Sequence, residues 1–109
     1  MARSLDTQRS MNIEQITQRI KMGDHLSVPR EVEHFALFGG RKEADAARAR
    51  LEAAGFAAHV SRKGWSKFEV RATHLTSIEA PEVDNFVEQV FGIVEAAHGS
   101  YDGWGGPLA

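Results

Sequence analysis

The strongest periodic signal in the chain is helical: Val83, Phe86, Val87, Val90, Val94 and Ala97 recur at intervals of three and four. That spacing lines one face of an α-helix, with Pro81 near its start and Gly99 closing it. A second helix is predicted from 41 to 54, where Ala44, Ala47, Leu51 and Ala54 share a face; Gly55 stands where a left-handed cap belongs and Phe56 follows as its apolar partner. Between and around these helices the period changes to two. Residues 32 to 38 read as a strand, with Phe35 and Leu37 on one face and Val32, Ala36 and Phe38 on the other. Phe56, Ala58 and Val60 alternate before a turn at Arg62, Lys63 and Gly64. Phe68, Val70 and Ala72 then alternate with Lys67, Glu69, Arg71 and Thr73, giving a hairpin with one polar face. Tyr101 to Trp104 read as a short last strand.

The N-terminal pattern is weaker. Residues 1–10 are polar and aperiodic and read as a disordered lead. Asn12 is placed to cap a short helix whose Ile13, Ile16 and Ile20 form a narrow apolar stripe before Gly23, and residues 11–30 are this helix and its linker. From 31 to 109 the order is strand, helix, strand, strand, helix, strand. This predicts an α+β, ferredoxin-like βαββαβ domain: a four-stranded antiparallel sheet with two helices on one face, plus the N-terminal helix. The other sheet face is left for solvent, a partner, a second copy in a homodimer, or the isoleucine stripe.

Composition narrows the functions. The 109 residues suffice for one core, and 13 basic against 15 acidic residues leave a net charge of -2, so no whole-chain field favours nucleic acid or an anionic membrane. Without cysteine there are no disulfides, thiolate metal sites or cysteine nucleophiles. No apolar run approaches the roughly 18 residues of a membrane span, and the scattered Arg3, Asp6, Arg9, Glu14 and Arg19 do not resemble a secretory leader. The expectation is a cytoplasmic protein without a membrane partner.

Catalytic and metal readings find little support. His34, His59 and His74 fall on three strands, but strand parity sends His59 and His74 to opposite sides of the sheet, so no metal site is expected. Asp84 and Glu88 lie one helical turn apart, a spacing typical of a solvated face. No GxSxG elbow occurs, and Gly39-Gly40-Arg41-Lys42 lacks the spacing of a nucleotide-binding loop. No cofactor and no catalytic residue is expected. An RNA-binding alternative rests on the hairpin, where Lys63-Gly64-Trp65 opens like the third-strand signature of RNA recognition motifs; Lys67 then stands where a stacking aromatic belongs. Its patch would be Arg62, Lys63, Trp65, Lys67 and Arg71.

The most distinctive stretch is Tyr101-Asp102-Gly103-Trp104-Gly105, two amphipathic aromatics among glycines. Two readings compete for it: a plug at the end of the core, or an aromatic anchor for a partner. Together with Val32-Glu33-His34-Phe35-Ala36-Leu37-Phe38 and the helix ending at Gly55-Phe56, it resembles the regulator of ribonuclease E activity B family over about residues 31 to 108. The resemblance implies a non-catalytic domain that binds an endoribonuclease, ribonuclease E, and modulates RNA decay. On that reading the protein-binding surface includes Tyr101, Asp102 and Trp104 with the neighbouring His34 and Phe35.

Overall fold

The computed structural model of the chain describes residues 4–109. Its elements are α1 (Leu5–Lys21), β1 (Arg30–Phe38), α2 (Arg41–Ala53), β2 (Ala57–Lys63), β3 (Lys67–Thr76), α3 (Ala80–Ala96) and β4 (Ser100–Gly105). The strands form one open antiparallel sheet in the order β2-β3-β1-β4. Val32, Ala36 and Phe38 of β1, Ala58 of β2, and Val70 and Ala72 of β3 are buried in one core with Ala44, Ala47 and Leu51 of α2 and Val83, Phe86, Val87, Val90 and Val94 of α3. Period-two strands and period-3.6 helices thus bury one face each against the other, as the pattern predicts. The opposite sheet face keeps Phe35 and Leu37 half-buried and leaves His59, Arg71 and Leu75 exposed.

The helix ends follow local chemistry. At the end of α2, Gly55 takes φ 99° while Phe56 N–H donates to the Leu51 carbonyl at 3.0 Å and buries its ring, the capping motif read from the sequence. At the end of α3 the left-handed residue is His98 (φ 62°), one place before the expected Gly99. Gly99 is required for a different reason: a Cβ there would stand 2.3 Å from Cε2 of the buried Phe38 ring.

The N-terminal helix differs most from expectation. It starts at Leu5, well before Asn12, because Ser4 is the cap and accepts from Thr7 N–H at 3.1 Å. Residues 5–10, expected within a disordered lead, are therefore helical, whereas residues 1–3 of that lead lie outside the described residues. The isoleucine stripe does not cover the sheet face. Only Ile16 of the stripe packs against the core, half-buried; Ile13 and Ile20 are 68% and 58% exposed, and the fully buried side chains are the polar Gln8, Asn12 and Arg19. Four- and seven-residue spacing puts these on one face, which packs at the β4 edge beside α3, where Arg9 meets Glu88 at 3.4 Å.

Hydrogen bonds centred on two buried arginines hold this polar underside in place. Arg19 donates to the Gly106 carbonyl at 2.9 Å and to Asp24 at 3.2 Å; Arg30 grips both Asp24 carboxylate oxygens at 2.7 and 2.8 Å. Burial raises the Asp24 carboxyl, but the hydrogen bonds from Arg30 and Arg19 outweigh it and hold the group below its ordinary range.

Candidate functional site

Strict alternation along β4 would send Tyr101 and Trp104, three residues apart, to opposite faces. A bulge brings them to the same one. Phe35 pairs with Gly103 and Ala36 with Tyr101, so Asp102 is the extra residue, and Gly103 absorbs the distortion at φ 122°, a left-handed conformation that disfavours any side chain. Both aromatics therefore point into the core, Tyr101 at 1% exposure and Trp104 at 7%. The Trp104 indole N–H donates to Asn12 Oδ1 at 2.8 Å, its ring meets Phe86 edge-on at 5.4 Å, and the Arg19 guanidinium lies 5.4 Å from its centroid.

Tyr101 in turn anchors a buried polar chain. Its hydroxyl lies 2.8 Å from His34 Nδ1, and His34 Nε2 lies 3.0 Å from His74 Nε2. The register explains the meeting: His74 pairs with Val32 and His34 with Ala72, so both imidazoles leave the sheet on the helix side. Among the described residues the Tyr101 hydroxyl has no other hydrogen-bond partner, so hydrogen-bond balance assigns its O–H as donor to His34 Nδ1, and His34 Nε2–H as donor to His74 Nε2. Phe56 and Phe86 pack edge-on to His34 at 5.7 and 5.1 Å. Burial among them, reinforced by the neighbouring His74, pushes the His34 pKa down to about 3; burial lowers His74 as well and raises the Tyr101 hydroxyl. A neutral, satisfied chain of this kind fixes side chains in the core.

The five residues expected to form a protein-binding patch are thus divided by the sheet. His34, Tyr101 and Trp104 are core residues on the helix side, a correction to their reading as surface anchors, because the bulge turns both aromatics inward and strand parity separates His34 from its neighbour Phe35. Phe35, half-buried, and Asp102, exposed, remain on the outer side. They line a shallow cleft of about 160 Å³ with Met11 and Gln15 of α1 and Gly103, closed at its base by Gln8, Asn12 and Trp104. No sequence signal pointed to the α1 wall, since its inward face is polar.

The RNA-binding alternative also divides. Arg62, Lys63, Trp65 and Lys67 are exposed around the β2–β3 turn, whereas Arg71 lies farther along β3, paired with Glu33 at 3.4 Å. Arg41, at the start of α2, joins the hairpin group through Phe68. Among the described residues no three His, Asp or Glu side chains are placed to hold a metal ion, and no helix is long and apolar enough to cross a membrane.

The family model for RraB, regulator of ribonuclease activity B, matches residues 9–106. The chain belongs to this family. No curated protein gives a significant match to it. RraB membership covers α1 from Arg9 onward as well as all four strands, so the helix that walls the cleft falls mostly within the matched region.

Proposed function

We propose that this chain is a cytoplasmic, non-catalytic regulator that binds an endoribonuclease of the ribonuclease E type and changes its activity by protein–protein contact. The family match over residues 9–106 carries this reading. The element order from β1 onward and the strand order β2-β3-β1-β4 support a ferredoxin-like domain as its scaffold. Because His34, Tyr101 and Trp104 are interior, the docking surface is assigned to what surrounds them outside: Phe35, Asp102 and the α1 wall at Met11 and Gln15. A partner segment seated there would cover the half-buried Phe35 and place a charge against Asp102, and the bound domain would block substrate access or scaffold assembly.

The test is direct. Purified protein and endoribonuclease E should co-elute on size exclusion, and the protein should alter the rate of cleavage of a model RNA. Phe35→Glu should abolish both effects without changing the circular dichroism spectrum. Failure of the unmodified protein to form a complex or to change cleavage would reject the reading.

A further inference from the structure

The β2–β3 hairpin carries surface chemistry that partner docking at the β4 edge does not use. Trp65 sits at its tip, 88% exposed, on a turn held by Gly64 at φ 66° and by Arg62 Nη2–H donating to the Trp65 carbonyl at 2.7 Å. An indole held out by an ordered turn has both ring faces open to water.

The surrounding residues are polar and largely cationic. Lys63 and Lys67 flank the turn and are exposed, while Arg62 and Arg41 place their guanidinium carbons 5.3 and 6.0 Å from the Phe68 centroid, bringing both to the base of the hairpin. From 61 to 68 the segment holds three cations and no carboxylate: Ser61, Arg62, Lys63, Gly64, Trp65, Ser66, Lys67 and Phe68. Nearby Glu69 lies 3.6 Å from Lys63, and Asp45 lies 3.7 Å from Arg41, both partial counterweights. The hairpin is therefore locally basic on a chain of net charge -2.

We propose that this hairpin is a contact site for single-stranded RNA, with Trp65 stacking on a base and Arg41, Arg62, Lys63 and Lys67 meeting the flanking phosphates. Two features favour RNA over a protein partner. A protein hot spot needs a desolvated apolar surround, and Trp65 is flanked by Gly64 and Ser66 and then by lysines. Stacking on a base needs only an open π-face, and the flanking cations supply the sequence-independent phosphate attraction. Lys67 borders a pocket with Glu95 and with Ser100 at the start of β4, but no hairpin residue lines the cleft at Phe35 and Asp102, so RNA on the hairpin and a partner segment in that cleft would use different residues.

The experiment uses the full chain with a 5′-labelled oligouridylate of about a dozen nucleotides, a length within the range single-strand binding modules cover. Its readouts are anisotropy and tryptophan fluorescence at low salt. Binding should quench the exposed Trp65, since Trp104 is buried. The logarithm of the affinity should fall with the logarithm of salt concentration with a slope of roughly -2 to -3, for four cations on a single strand. Trp65→Ala should weaken binding about ten-fold, and the Lys63→Glu, Lys67→Glu pair should remove it. All three sites are exposed, and an unchanged melting temperature would confirm intact folding.

No binding at low salt, or binding that survives both sets of substitutions, would overturn the proposal. So would polyglutamate competing as well as RNA, because that would mark the hairpin as a docking site for acidic protein. Hairpin variants that lose RNA but still bind the endoribonuclease would support the proposal and separate it from the regulatory reading.

Discussion

Burying His34 among Phe56, Phe86 and Tyr101 makes its neutral form a condition of the folded state. Its pKa falls from 6.5 to about 3, and that of His74 falls in the same direction. The unfolded chain therefore binds more protons than the folded one below about pH 6.5. Stability is fully present above that value and is lost as pH drops toward 3, at up to about 1.4 kcal/mol per pH unit from His34 alone. Asp24 acts in the same sense, but only near and below its ordinary 3.8. Urea midpoints measured from pH 7 to pH 5 should fall steeply in the native sequence and more gently in His34→Leu; equal slopes would show that His34 is not neutral in the fold. The imidazole pair was not read from the sequence, although strand parity correctly set His59 apart. Pairing His34 with His74 requires knowing that β1 and β3 are neighbours in this register, which no local pattern contains.

The elements sort by how their information is carried. The α3 stripe, the Gly55-Phe56 cap and the β2–β3 hairpin depend on neighbours within a turn or two and were legible. α1 was legible as a helix ending before Gly23, but its start at Leu5 and its packed face were not, because that face is mainly polar and pattern reading assigns such a face to solvent. That face is also imperfect: Gln8 is buried, yet its Nε2 has no hydrogen-bond partner among the described residues. A buried amide donor left unpaired costs about 1–3 kcal/mol. Gln8→Met, similar in length and apolar, should raise stability by about 1 kcal/mol in thermal or urea unfolding. Asp24→Asn, at the other end of the same attachment, should lower it by about 3 kcal/mol or more, since two buried guanidinium groups would lose their counter-charge. If both variants shift in one direction, the helix is not held as described.

At the scale of the whole molecule, the question is whether α1 is an appendage or part of the domain. The β4 plug was visible as a motif, and its direction was not, because the bulge at Asp102 exists only through pairing with β1. Once Trp104 turns inward, its indole N–H needs an acceptor, and Asn12 of α1 supplies it; Gln15 Nε2 donates to the Trp104 carbonyl at 3.4 Å, and Arg19 caps the tail beyond it. The helix thus completes the environment of the residue that closes the sheet, and the family match runs across both. In a Trp65→Phe background Trp104 is the sole tryptophan, and its emission reports this junction alone. Deleting residues 1–22 should move that emission to the red and lower the melting temperature by several degrees, since even about 1 kcal/mol shifts a domain of this size by about 4–8 °C. An unshifted spectrum would mean that Trp104 is shielded by α3 and β1 without help from α1, and that the cleft at Phe35 and Asp102 lacks its second wall in the working protein.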